Sequence, residues 1–100
     1  MSIERVERIE ARLREVFGPE HLAVEDESHR HVGHPGAREG GGHFRVEIVA
    51  PAFEGQGRLA RHRAVYAALD EMMRADIHAL AVRALTPSEW ARAPEAGPGG

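Results

Sequence analysis

RLARHRAVYAALDEMMRADIHALAVRALT, residues 58 to 86, is the stretch whose reading decides the fold. Leu59, Val65, Leu69 and Met72/Met73 recur close to a helical period, with Tyr66 beside them, and Arg61, Arg63, Asp70, Glu71 and Arg74 fill the wet side. Alanines at 60, 64, 67 and 68 favour a helix, and neither Gly nor Pro interrupts it. From Ile77 the period becomes two. His78, Leu80, Val82 and Ala84 are predicted on one face of a strand, with Ile77, Ala79, Ala81 and Leu85 on the other. An apolar strand of this kind is expected inside a sheet. The stretch thus predicts one helix running straight into one buried strand, with a histidine at its mouth.

Working outward, Thr86-Pro87-Ser88-Glu89 matches a capping box with proline at the first helical position, and a short helix carrying Trp90 should follow. Upstream, Ser2 is the expected cap of a first helix with apolar positions Ile3, Val6, Ile9, Leu13, Val16 and Phe17, ended by Gly18-Pro19. A strand from Leu22 to Ser28 should place Leu22 and Val24 inward. A Gly-rich loop, HRHVGHPGAREGGG at 29–42, precedes a second strand, His43 to Ala50. There Phe44, Val46 and Ile48 alternate with His43, Arg45 and Glu47, and Pro51 stops the strand. Phe53 and Gly55 fall in a short helical turn. The order is α-β-β-α-α-β-α. Two antiparallel strands and a third joined through a helix, hence parallel and right-handed, predict an α+β fold: a three-stranded mixed sheet with helices packed on one face, the layout of a type II KH-like fold. The domain is expected over residues 1–92, with residues 93–100, APEAGPGG, as a disordered tail.

The totals narrow the function. A hundred residues with 42% hydrophobic and 29% charged content suit one domain with a modest core. No apolar run is long enough to span a bilayer, and the acidic N-terminal segment lacks the features of a signal or transit peptide, so a cytoplasmic, bacterial setting is expected. Net charge −3 gives no overall pull towards nucleic acid. The absence of cysteine excludes disulfides, a thiol nucleophile and an all-thiolate metal site within the chain. Lysine is absent too, and serine stands only at element ends. Glu25, Asp26 and Glu27 alternate between strand faces, and no base–nucleophile pair is apparent. A stand-alone enzyme is not expected.

Seven histidines remain to be explained, four of them between residues 29 and 43. His21 and His29 read as exposed strand-end residues, and His43 as part of a solvated strand face. His62 reads equally as a hydrogen-bonded helix residue or as a partner contact. His78 enters an apolar strand, where its nitrogens need partners or a place at the rim. The loop bearing His31 and His34 lies at the end where a parallel third strand begins, so a loop imidazole and His78 can converge on one metal. Two or three imidazoles are an incomplete site. A 2Fe–2S centre can take two His on one iron and thiolates on the other, so this chain can supply the histidine half and a partner must supply the thiolates.

The blocks VEDES at 24–28, HFRVEIV at 43–49, FEG at 53–55, RHRAVY at 61–66, IHAL at 77–80 and TPSEW at 86–90 resemble, in order and spacing, those of the BolA family over residues 3 to 90. The resemblance implies a 2Fe–2S cluster shared with a monothiol glutaredoxin in a heterodimer, with thiolates from the glutaredoxin cysteine and glutathione. It implies His78 as one ligand and a residue of the loop as the second, for which His31 matches better and His34 stays open. The exposed edge with Arg58, Arg61, His62 and Arg63 is the expected docking surface. Ligand imidazoles must be neutral, so sharing should weaken as pH falls through roughly 6.5. The alternative is a KH-like transcriptional regulator that binds nucleic acid. Against it, a KH module clamps the backbone with a GXXG loop, whereas Gly55-Gln56-Gly57 is GXG.

Overall fold

The computed structural model describes residues 3–27 and 42–92. Helix α1 (Ile3–Phe17) is followed by strands β1 (His21–Asp26) and β2 (Gly42–Val49) and a 3-10 turn (Pro51–Phe53). Helices α2 (Arg58–Ala68) and α3 (Asp70–Ala75), strand β3 (Ile77–Leu85) and helix α4 (Pro87–Arg92) complete the order. The strands form one mixed sheet ordered β1-β2-β3, with β1 antiparallel and β3 parallel to β2. Ser2, the loop at 28–41 and the tail at 93–100 lie outside the described residues, as does the division at residue 92.

The local signals act as read. Gly18 takes φ +55 after α1, and its N–H closes the helix on the Arg14 carbonyl at 3.1 Å. Phe44, Val46 and Ile48 of β2 are buried beneath Ile9 and Leu13 of α1 and Val65 and Leu69 of the α2–α3 segment. Leu22, Val24, Leu80, Val82 and Ala84 pack around that core from the flanking strands. Phe53 is fully buried and meets Phe17 with ring centres 5.1 Å apart, so the 3-10 turn anchors the crossover to α1. At α4 the capping box is complete. Thr86 N–H donates to Glu89 Oε1 at 2.9 Å, and Glu89 N–H donates to Thr86 Oγ1 at 3.1 Å.

Three expectations from the 58–86 stretch are corrected. The single helix is two, because Leu69 leaves helical geometry at φ −103, ψ 17. Leu69 is itself in the core, and the turn there lets α3 bring Met72 and Met73 against the same cluster. Secondly, β3 is an edge strand and β2 is the buried centre. Apart from the buried Ile77, the larger apolar side chains of β3 sit half covered, which a composition argument does not distinguish from a central strand. Thirdly, the period of two does not run unbroken from Ile77. The ladder pairs Gly42 with Ile77 but His43 with Ala79, leaving His78 as an extra residue in a bulge. Ile77 therefore faces the core with Leu80, and His78 does not share the Leu80 face.

Candidate functional site: a histidine pair at the start of two parallel strands

Parallel strands begin at the same end of a sheet, and His43 and His78 each stand second in their strand. Plain alternation would send them to opposite faces. The bulge turns His78 towards His43 instead, and the two imidazoles lie with ring centres 5.2 Å apart at 48°. His78 is exposed and His43 is partly buried.

The surrounding backbone is pinned. Gly42 N–H donates to the Asp76 carbonyl at 3.0 Å, tying the start of β2 to the residue before β3. Glu27 N–H donates to the His43 carbonyl at 2.7 Å from the β1 side. The Asp76 carboxylate accepts from Arg8 at 2.8 Å and lies 3.7 Å from Arg5, so α1 braces the turn from which His78 emerges. Arg45 extends over the same sheet face and lies 3.6 Å from Glu27.

The donor set suits a borderline metal. Two imidazoles sharing a tetrahedral ion, with metal–nitrogen bonds of about 2.1 Å, keep their ring centres about 5 Å apart. The His43–His78 spacing meets that condition. No cluster of three or more metal-binding side chains occurs among the described residues, so this pair leaves coordination positions for outside ligands. His31 and His34 fall outside the described residues, and no geometry is assigned to them. His43, which the sequence places on a solvated strand face, is the residue that meets His78. Its signal was its place second in a strand parallel to the one bearing His78, and the unseen bulge masked it.

The expected docking edge divides. Arg58 and Arg63 are exposed on α2, and His62 is half-buried between them. Arg61 is turned inward, its side chain 13% exposed. It donates from Nε to the Gln56 carbonyl at 2.7 Å and from Nη1 to the Ala84 carbonyl at 3.0 Å. It also grips the Glu89 carboxylate two-pronged, at 2.6 and 3.1 Å. The Arg61 guanidinium holds the Glu89 carboxyl down at about 2, assisted by the Thr86 N–H, and Glu89 in turn raises Arg61. Arg61 thus joins the link at Gln56, α2, β3 and α4. His21, read as a bare strand end, contacts Glu47 at 3.0 Å and lies flat on Trp90, ring centres 4.6 Å apart. Glu47 also accepts from Arg83 at 3.2 Å.

Comparison with known proteins bears on the whole of this frame. The family model described as BolA-like protein matches residues 13–89. An uncharacterised protein from the cobS 5′ region of Sinorhizobium sp. is 48% identical over 88 residues, covering 86% of this chain and 95% of that protein. The DNA-binding transcriptional regulator BolA of Escherichia coli is 43% identical, over 84% of this chain and 77% of the relative. Among solved structures, the BolA domain of SufE1 from Arabidopsis thaliana superposes with a TM-score of 0.76 at 38% identity, covering 85% of this chain and 94% of that one. The matched span runs from Leu13 in the core of α1 to the Glu89 clasp and contains both histidines of the pair, so the chain belongs to the BolA family.

Proposed function

We propose that this protein is a non-enzymatic adaptor that shares a 2Fe–2S cluster with a monothiol glutaredoxin in a heterodimer, in iron–sulfur cluster delivery or iron-linked regulation. The observation that carries the reading is the 5.2 Å spacing of the His43 and His78 rings at a corner of the sheet where His78 is exposed and His43 partly buried. His78 is the first ligand. His43 joins His31 and His34 as a candidate for the second, favoured by its contact with His78. The chain has no cysteine, so thiolates come from the glutaredoxin and from glutathione. The cluster supplies its own redox and ligand-exchange chemistry. The imidazoles of this chain would hold one iron, with the backbone around His43 and His78 pinned by the Gly42–Asp76 and Glu27–His43 bonds, and Arg58, His62 and Arg63 would form the docking rim.

The test is a titration into cluster-loaded monothiol glutaredoxin with glutathione, followed by visible absorption and circular dichroism. Wild type is compared with His78→Ala, His43→Ala, His31→Ala and His34→Ala. A new spectrum, lost in His78→Ala and in one other variant, is expected. An unchanged glutaredoxin spectrum with wild type would remove the cluster from the account. A second reading, nucleic-acid binding in transcriptional regulation, is favoured by the name of the E. coli relative. It requires DNA affinity that falls steeply with salt, at a slope set by the phosphates neutralised.

A further inference from the structure

The free edge of β3 is an unusual one. In a strand, alternate residues direct both N–H and C=O to the same side. Ala50 N–H donates to the Leu85 carbonyl from the β2 side, so the odd-numbered residues of β3 after the bulge bond β2. Leu80, Val82 and Ala84 then point their backbone groups away from the sheet. Two side chains of α2 reach those carbonyls: Tyr66 OH donates to Leu80 O at 2.8 Å, and Arg61 Nη1 donates to Ala84 O at 3.0 Å. Both plugs are donors, and they consume acceptors only. Among the described residues nothing bonds the Val82 N–H or C=O between them, and that edge is left richer in N–H groups than in carbonyls.

Beside this edge runs a groove of about 730 Å³, bounded by Gln56, Gly57, Arg58 and His62 on one wall and by Val82 and Ala84 on the other. It shares His62 with a shallower hollow of about 270 Å³ formed with Arg63 and Tyr66. The charges along it do not balance. The Glu89 carboxylate is already held by Arg61, whereas Arg58 and Arg63 are exposed and make no ion pair with any described residue. Leu59, 62% exposed, adds apolar surface on the same helix. An edge short of acceptors, with Arg58 in the groove wall and Arg63 in the adjoining hollow, suits a ligand that brings main-chain carbonyls and carboxylates together.

The geometry points to an extended, acidic peptide segment of a partner protein as the occupant, adding to β3 at Val82 and placing its carboxylates against Arg58 and Arg63. From Leu80 to Ala84 the edge is about 13 Å long, room for a strand of about four residues centred on Val82. Strand addition of this kind takes affinity from main-chain bonds and selectivity from side chains of alternate residues. Nucleic acid suits the groove less well, because His62 is the one ring among its lining residues, whereas tracking a strand takes successive stacking platforms. A second copy of the chain would bring arginines against arginines across the paired edges. The inference shares the Arg58–Arg63 rim with the proposed docking surface but does not need the histidine pair, and its test contains neither iron nor glutaredoxin.

The protein, labelled with nitrogen-15, is titrated with a capped octapeptide of alternating glutamate and valine. Saturable shifts of the Val82, Ala84 and Arg58 amides are expected, weakened about fivefold or more by Arg58→Glu and by added salt. Arg58 is exposed in the first turn of α2, where glutamate is favourable to the helix, so the variant keeps its fold; Arg63→Glu is the second variant. A lysine–valine octapeptide, and the glutamate–valine peptide N-methylated at alternate residues, should leave these amides unmoved. Absence of shifts up to about 1 mM peptide would overturn the proposal. So would equal binding of the N-methylated peptide, shifts of the same amides by an oligo-dT octamer alone, or their movement with protein concentration in the absence of peptide.

Discussion

Removing the Glu89 carboxylate tests the clasp that joins α2, β3 and α4. Glu89→Ala deletes the two-pronged pair with Arg61 and half of the capping box with Thr86. Loss of a reciprocal cap costs about 1 kcal/mol. A solvent-facing ion pair contributes about 0.2–1 kcal/mol, and the two-pronged geometry puts this one near the top of that range. Lowering a carboxyl from 4.5 to about 2 corresponds, at roughly 1.4 kcal/mol per unit, to more than the pair alone. Because the Glu89 side chain is 35% exposed, that figure is cut by solvent screening to about 1–2 kcal/mol. Together the routes place the loss near 2 kcal/mol, a fall in Tm of roughly 8–16 °C for a domain of this size. The pH dependence has a definite sign. The folded pKa lies below the unfolded one, so the contribution is complete above about 4.5 and is lost as pH falls towards 2. Urea unfolding followed by far-UV circular dichroism at pH 7 and pH 3 should show the gap between wild type and Glu89→Ala narrowing at the lower pH. A double-mutant cycle with Arg61→Met should return a coupling near 1 kcal/mol. A loss below about 0.3 kcal/mol at pH 7, as at an ordinary surface position, would refute the reasoning, as would a gap that is the same at both pH values.

Other substitutions probe separate parts of the frame. Leu13→Ala empties a fully buried site beneath the sheet and should cost about 2–5 kcal/mol by chemical denaturation. Gly55 holds φ +80 with nothing within 4 Å of an added Cβ, so Gly55→Ala should cost about 1–2 kcal/mol through backbone strain alone. Gly57 caps α2 in extended geometry without a side-chain bond, and Gly57→Ser should raise stability by a few tenths of a kcal/mol, read as a higher urea midpoint. Tyr66→Phe removes the hydroxyl that covers the Leu80 carbonyl and should cost about 0.5–1 kcal/mol while leaving the α2 circular dichroism signal intact.

What the chain spells out locally was legible in it. Caps, helical periods and turn glycines act through neighbours within a few residues, so Gly18, the Thr86–Glu89 box and the alternation of β2 could be read without knowing the fold. The parallel relation of β2 and β3 also followed from the helical crossover between them, and the family blocks pointed to His78. Strand order and register belong to a different level. Which strand is central depends on pairing between segments far apart in the chain, and the apolar residues of β3 suit an edge under α2 as well as a centre. One bulged residue reverses the facing of every side chain before it relative to those after it. That single irregularity places His78 against His43, although the uniform period of two assigned them to opposite faces. The inward turn of Arg61 is of the same kind. Its side chain lies on an apparently wet helix position, and only the approach of α4 and the β3 edge gives its guanidinium four acceptors to hold. Residue order alone therefore determined the family of this protein and its elements, apart from the break at Leu69 that divides α2 from α3. Tertiary packing decided which histidines meet and which arginines are left facing outward, because both depend on contacts that local periodicity does not encode.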